Sequence, residues 1–307
     1  MKKVSIIIPC HNEAESLPLL YLELKALMDS QTAYDWEVVM VNDGSRDQTL
    51  SVMRRIREAD PRCHYIDLSR NFGKESAMKA GLDHCTGDCA VILDADLQNP
   101  PQLIPEMLRL WEEGYDDVYG RRRSRGRESW LRRKLSLAFY RVLRRSSEVD
   151  MLENVGDFRL LDRRCIDALS ALPETERYTK GLFCWIGYRK HEILFDRPDR
   201  AAGRSNWNFR QLASLAVEGL TSFSTAPLRL SVIFGFIVAL CAFLTMIYYV
   251  VKTLVFGDPI QGFPTLITVI LLLGGIQLIA IGILGEYVGK IFNEVKRRPV
   301  YLIREQQ

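Results

Sequence analysis

An α/β domain built on a mostly parallel sheet with helices on both faces, followed by two apolar helices, is the fold class that this sequence predicts. Three observations predict it. Short apolar runs at Val4 to Ile8, Glu37 to Val41, Tyr65 to Leu68 and Cys89 to Leu93 alternate with amphipathic stretches, the pattern of a doubly wound sheet. Each run ends in a polar cluster, and in a parallel sheet those clusters share the carboxyl edge, where ligands bind. Finally, about 22 uncharged residues lie between Arg229 and Lys252 and about 27 between Asp258 and Glu286, each enough to cross a hydrocarbon layer of ~30 Å as a helix.

The first run leads into Pro9-Cys10-His11-Asn12-Glu13 and the second into Asn42-Asp43-Gly44-Ser45-Arg46-Asp47. Asp43 in such a turn has two readings: it caps the helix starting near Thr49, or it accepts hydrogen bonds from a nucleobase or ribose at the sheet edge. The third run ends in Ser69-Arg70-Asn71-Phe72-Gly73-Lys74. A lysine after a glycine at a helix start suits a phosphate, because the helix dipole adds to its charge; it also reads as an ordinary surface lysine.

The fourth run carries the centre of the site, Asp94-Ala95-Asp96-Leu97-Gln98. Side chains alternate along a strand, so Asp94 and Asp96 fall on one side of the backbone. Two carboxylates that close repel each other unless a hard divalent cation with oxygen ligands sits between them. A solvated acidic turn is the other reading of these residues.

Between Arg121 and Arg145 roughly eleven Lys or Arg face one acid, Glu128. The first of these lie in a loop, and Leu131 to Arg145 reads as a basic amphipathic helix with Leu131, Leu135, Ala138, Phe139 and Val142 on one stripe, suited to the headgroup layer of an anionic membrane. Nucleic acid is disfavoured as a partner, since few aromatics interleave with the basic residues. Asp157 opens a further apolar strand, Gly156 to Leu161, either as a site carboxylate or as the partner of Arg159 or Arg163. Beyond Phe195 the alternation stops. The polar, glycine-containing segment Arg197 to Trp207 has the composition of a mobile loop, and Asn208 to Ser224 reads as a second amphipathic helix leading to the first apolar segment.

The seven cysteines have no CxxC spacing and fit a reducing compartment. Val4 to Pro9 is too short for a signal peptide. Arg204, Arg210 and Arg229 before the first apolar segment, with Lys290, Lys296, Arg297 and Arg298 after the second, place both termini on the cytoplasmic side by the positive-inside rule.

Taken in order, Pro9-x-x-Asn12-Glu13, Asn42-Asp43-Gly44-Ser45-x-Asp47, Asn71-Phe72-Gly73-Lys74 and Asp94-Ala95-Asp96-Leu97-Gln98 before two apolar helices resemble the polyprenyl-phosphate glycosyltransferases of glycosyltransferase family 2. Dolichol-phosphate mannose synthases and bactoprenol glucosyltransferases are members. The resemblance implies a glycosyltransferase-A-like fold and four parts: residues 1–200 as a cytoplasmic catalytic domain, 201–228 as acceptor loop and juxtamembrane helix, 229–289 as a two-helix membrane hairpin, and 290–307 as a cytoplasmic basic tail.

It further implies a donor site at Pro9, Asn12, Glu13, Asp43, Gly73, Lys74 and Asp94, with Asp94, Asp96 and Asp157 as the catalytic carboxylates. Asp96, assisted by Gln98, would take Mg2+ or Mn2+ on the diphosphate. Arg122, Arg125 and Arg127 would meet the acceptor phosphate, and a loop carrying Arg200, Arg204, Ser205 and Trp207 would close over both substrates. Asn206 stands where the family's loop commonly has Lys, and Asn42 where its acidic turn usually has Asp. The implied reaction moves a hexose, glucose first among the candidates, from a UDP-sugar to undecaprenyl phosphate with inversion, for cell-envelope glycan modification. The implied setting is the inner membrane, with membrane lipid around the hairpin, a flippase and a second glycosyltransferase downstream, and room for a homo-oligomer. A processive polysaccharide synthase would carry a Gln-x-x-Arg-Trp motif, and no Arg-Trp occurs. A nucleotide-sugar sensor would have no need of Asp43, Asp94, Asp96 and Asp157 together.

Overall fold

The computed structural model describes residues 1–123, 155–175, 177–196, 226–256 and 263–307. The basic helix expected over Leu131 to Arg145 and the amphipathic helix expected over Asn208 to Ser224 lie outside the described residues.

Strands β1 (Lys2–Cys10), β2 (Tyr34–Asn42), β3 (Cys63–Leu68) and β4 (Cys89–Ile92) alternate with helices α1 (Leu17–Ser30), α2 (Thr49–Ala59) and α3 (Lys74–His84). After α4 (Ile104–Glu112) come β5 (Asp117–Arg122), β6 (Val155–Asp162), α5 (Arg163–Ala171), α6 (Thr179–Trp185) and β7 (Lys190–Phe195). Two long helices, α7 (Ala226–Phe256) and α8 (Phe263–Val295), and a last strand, β8 (Ile303–Gln306), complete the chain.

All eight strands form one sheet in the order β7-β5-β6-β4-β1-β2-β3-β8. The first four are mutually parallel, in register from Val4↔Trp36 through Ile8↔Met40, with Val4↔Cys89 on the other side. Their carboxyl ends therefore share one edge, as the alternation predicts. The parallel pattern stops at β6, which runs antiparallel to both β4 and β5, and at β8, antiparallel to β3.

Side-chain alternation along the buried strands feeds two cores. Val4, Ile6, Ile8 and Cys10 of β1 pack with Leu17, Leu20, Leu24 and Met28 of α1 on one face. Ile7 joins Ala77, Met78 and Ala80 of α3 on the other. The spacing of the α1 leucines is the i, i+3, i+7 stripe of a helix with one buried face, and each fully buried aliphatic side chain contributes about 1.5–3 kcal/mol. Helix α3 lies close against β1 because position 81 is glycine: a Cβ there would come within 2.3 Å of Ile7 Cγ2.

β5 and β6 are joined by a charged pair inside the sheet. Arg159 Nη1 lies 3.0 Å from Asp117 Oδ2, with the side chains 2% and 0% exposed, and the guanidinium stacks 3.6 Å over the Phe183 ring. Burial pushes the Asp117 carboxyl up and Arg159 opposes it.

Helices α7 and α8 pack against each other and turn large apolar side chains outward, among them Val232, Phe236, Leu278 and Ile279. An apolar surface of that extent is stable in lipid or against a partner. Among the described residues, Leu272–Val295 is long and apolar enough to cross a membrane. Beyond α8 the chain returns to the α/β unit. Thr175 donates its N–H (2.9 Å) and hydroxyl (3.0 Å) to Glu294 Oε1, Tyr301 donates to Asp83 Oδ2 at 2.9 Å, and β8 covers the outer edge of β3.

Arg159→Met is expected to lower unfolding free energy by about 3–5 kcal/mol, because it strands a buried carboxylate, while Asp117→Leu/Arg159→Met recovers most of the loss. Thermal unfolding of the full chain in detergent measures both. A single variant as stable as the parent would show that the pair does not hold β5 to β6.

Candidate active site

The edge is assembled turn by turn from β1, β2, β3 and β4. Asn12 is held at a φ of 58°: its N–H donates to Ser45 Oγ at 3.0 Å and its Oδ1 accepts from Arg46 N at 2.9 Å. Glu13 N donates to Thr49 Oγ1 at 2.8 Å, Ala14 N to Asp47 Oδ2 at 3.2 Å, and Ser16 Oγ donates to Glu13 Oε2. Pro9, just before this turn, is buried and in register with Val41. Hydrogen bonds thus lace the first turn onto the second.

Asp43 does the same between the second turn and the third. It is buried, and its two oxygens accept the N–H groups of Phe72 (2.7 Å) and Gly73 (3.0 Å). Neither sequence reading, helix cap or nucleoside contact, includes this arrangement, in which the carboxylate shapes the loop that delivers Lys74. Gly44 is required at the same junction. Its φ is +59°, and a Cβ would stand 2.3 Å from Asn71 N, so only glycine lets the two turns approach.

Lys74 and the two aspartates form the centre. β4 pairs with β6 through Ile92↔Arg159, and continuing that register by two residues sets Asp94 across from Asp157. Like charges directly opposite destabilise a sheet. Here the Lys74 ammonium lies between them, 2.5 Å from Asp94 Oδ1 and 2.6 Å from Asp157 Oδ2. Burial alone would raise the Asp157 carboxyl, but Lys74, aided by Lys180, brings it down to about 2. The same two carboxylates hold the ammonium well above the ordinary lysine range against the cost of its burial. The other Asp157 oxygen, Oδ1, is buried with no hydrogen-bond partner among the described residues, an acceptor suited to a donor from a ligand.

Asp96 occupies the turn after β4, its Oδ1 accepting from Gln98 N at 3.1 Å, with Leu97 at a φ of 58° and Gln98 buried. Glu13 reports the charge gathered here. Burial raises its carboxyl first, and Asp96, Asp94 and Asp47 raise it further. Three strand ends therefore present carboxylates to one another. Among the described residues no three His, Cys, Asp or Glu stand close enough to hold a metal by themselves. A site offering one or two carboxylate oxygens suits an ion that completes its shell with waters and substrate phosphates.

Arg122 ends β5, with its Nε buried and, among the described residues, unpartnered; its Nη2 lies 3.5 Å from where a Cβ on Gly156 would stand. Arg125, Arg127, Arg200, Arg204, Ser205 and Trp207 lie outside the described residues. Sequence reasoning missed three features: the seat of Lys74 between two aspartates, the charge of Lys180 acting on Asp157, and a buried Asp67 behind Asn42. Only the last left a trace, since Asn42 departs from the family's usual Asp. Its Nδ2 donates to Asp67 Oδ1 at 2.7 Å, where an aspartate would meet a second buried carboxylate.

Comparison with known proteins gives two family matches along the chain: glycosyl transferase family 2 over residues 5–169 and the GtrB C-terminal hairpin over residues 226–291. The SfII prophage-derived bactoprenol glucosyl transferase of Shigella flexneri is 41% identical over 303 residues, covering 99% of this chain and 98% of its own. A prophage bactoprenol glucosyl transferase homolog of Escherichia coli is 39% identical over 302 residues, covering 98% of each. Among solved structures, a mannosyltransferase from Pyrobaculum calidifontis, in complex with GDP-Man and Mn2+, aligns with 72% of this chain and 64% of its own at 20% identity and a TM-score of 0.49. With the family 2 match over residues 5–169 and a relative 41% identical over nearly the full chain, the chain belongs to glycosyltransferase family 2.

Proposed function

We propose that this glycosyltransferase moves one glucose from UDP-glucose to a polyprenyl phosphate, giving a β-linked polyprenyl-phosphate glucose. What supports the reading is a single coincidence. One chain carries both an acidic sheet edge and a pair of apolar helices, and a bactoprenol glucosyl transferase matches 99% of it.

In the proposed reaction a phosphate oxygen of the lipid attacks the anomeric carbon in line. The new C1–O bond forms as the bond to the UDP oxygen breaks, which inverts an α-linked donor. Asp43 and the turns laced to Asn12, Glu13 and Gly73 frame the donor, with Pro9 beneath them. Asp96, with Gln98, would hold Mg2+ or Mn2+, which supplies neutralisation of charge on the departing diphosphate.

Against the effect of burial, the Lys74 ammonium beside Asp157 holds its carboxyl below the usual carboxylate range, which favours placement of a substrate over proton abstraction. The nucleophile does not need a general base, since a phosphate monoester is largely ionised near pH 7. Asp157 then acts by placement, its free Oδ1 accepting from a substrate hydroxyl. Lys74, set against Asp94 and Asp157, keeps positive charge beside the reacting carbon, and Arg122 with the arginines at 125, 127, 200 and 204 would face the acceptor phosphate, joined by Ser205 and Trp207.

The acceptor's tail cannot leave lipid, so the catalytic edge has to work at a membrane. In this proposal α7 and α8 both cross it and the α/β unit, with both chain ends, lies on the cytoplasmic side.

The direct test is incubation of the purified full-length protein with radiolabelled UDP-glucose, polyprenyl phosphate and Mn2+ or Mg2+. Label extractable with lipid is expected; no label from this donor while another UDP-sugar reacts would reassign the sugar, and none from any donor would refute the enzyme reading. Asp96→Ala is expected to cut kcat by at least about 100-fold, as loss of charge stabilisation on a leaving diphosphate implies. Undiminished turnover in excess EDTA would remove the cation from the scheme.

Lys74→Met gives a signed pH test. In the parent the depressed Asp157 carboxyl contributes stability above its unfolded value near 3.8 and loses it as pH falls toward about 2. Without Lys74, burial acts with less opposition and the carboxyl rises. Thermal unfolding followed across about pH 2 to 6 should then show the variant less stable near neutral pH and its acid limb flattened or reversed, because a carboxyl whose folded value approaches or passes 3.8 no longer loses stability as pH falls. An unchanged limb would mean that Lys74 does not set the acidity of Asp157.

A further inference from the structure

The segment after α8 reaches the donor turns through a series of hydrogen bonds whose outer members, Arg304 and Asp67, lie in none of the family motifs. Arg304, on β8, places Nη1 3.4 Å from Asp67 Oδ2 and donates from Nη2 to the carbonyl of Ser69. Asp67 is 1% exposed, and its other oxygen accepts from Asn42 Nδ2 at 2.7 Å. Asn42 Oδ1 accepts from Ser45 N at 3.2 Å, and the Ser45 hydroxyl accepts from Asn12 N at 3.0 Å. The series crosses β3 and β2 and ends in the first turn.

We propose that Arg304 is a positioning residue for the sugar nucleotide: acting through Asp67 and Asn42, it sets the Asn42–Asp47 turn in the form that receives the nucleoside diphosphate. The inference rests on the donor reading of this edge. Its logic is electrostatic. A carboxylate as buried as Asp67 needs donors on both oxygens, and it has Arg304 on one and Asn42 on the other. Losing the guanidinium leaves Asp67 to draw on Asn42 alone, and Asn42 is the residue that fixes Ser45. Ser69, whose carbonyl Arg304 also holds and whose N–H donates to Leu302 O at 2.8 Å, begins the loop that runs on to Lys74.

The arrangement has a structural consequence. Only the seven residues 296–302 separate β8 from the end of α8, and Glu305 seats it further by pairing with Arg54 Nη2 at 2.5 Å. Donor binding thus depends on the docking of the segment that leaves the apolar helices. A water-soluble substrate would bind best when the α/β unit is seated against them.

The experiment uses the full-length protein in detergent, with separate KM values for UDP-glucose and polyprenyl phosphate and UDP binding by calorimetry. Arg304→Ala is expected to raise the KM for UDP-glucose about three- to tenfold, with kcat and the lipid KM within about twofold. Arg304→Lys, which keeps the charge, should recover much of the loss. Asn42→Asp should raise the same KM by setting two carboxylates together, and Asn42→Asp/Asp67→Asn should lower it again by restoring a donor–acceptor pair. Should Arg304→Ala prove poorly folded, Arg304→Lys and the Asn42/Asp67 reversal carry the test. Equal changes in both KM values, or a double variant no better than Asn42→Asp, would overturn the inference while UDP binding by the parent leaves the donor reading intact. A parent protein that binds no UDP would overturn both.

Discussion

Two aspartates from strands far apart in sequence meet at the edge of this sheet, and the protein stands on the lysine between them. Asp94 lies two residues past β4 and Asp157 is the third residue of β6, strands whose antiparallel register draws the carboxylates together. With no cation, that register would place like charges face to face in partly buried surroundings. Lys74 resolves the conflict at 2.5 and 2.6 Å. Its own position depends on Asp43, which holds the N–H groups of Phe72 and Gly73. The chemistry of the edge is therefore bound to the packing of four strands, and an error in any one turn would reach the charged centre.

A second constraint comes from the far end of the chain. Glu294 on α8, Tyr301 and β8 each fasten onto the α/β unit, through Thr175, Asp83 and β3 respectively. These attachments fix how the catalytic edge stands relative to the apolar helices. β8 also removes the exposed edge that β3 would otherwise present, a common hazard of open sheets. For an enzyme whose proposed substrates come one from water and one from lipid, fixing this geometry matters as much as the donor contacts.

Much of this architecture is legible in the sequence, and the reasons are specific. β1 to β4 are mostly apolar because parallel strands are buried on both faces, and the polar turns after them fall on one edge by topology alone. Asp94, Asp96 and Asp157 stand out as carboxylates at strand ends. The seat of Lys74 is not legible, because its partner at 157 is 83 residues away, in a strand whose pairing with β4 no local pattern announces. The loop-shaping bonds of Asp43 are not legible either, since nothing in its neighbourhood shows that the amides of Phe72 and Gly73 will approach it. β8 reads as a basic tail: four residues, Ile303 to Gln306, two of them charged, make a short edge strand with little apolar signal. The apolar helices are the converse case, since length and lack of charge suffice to find them, although the second runs on through Glu286 and Lys290 to Val295.

The central claim, that Lys74 joins Asp94 and Asp157 into one unit, is tested most directly by a double-mutant cycle of Lys74→Met and Asp157→Asn in the full-length protein. Both the melting temperature and kcat/KM should be read. The account predicts strong non-additivity, the double variant being no worse than the poorer single, because removing either partner leaves the other without its opposite charge. Additive losses in both quantities would contradict it.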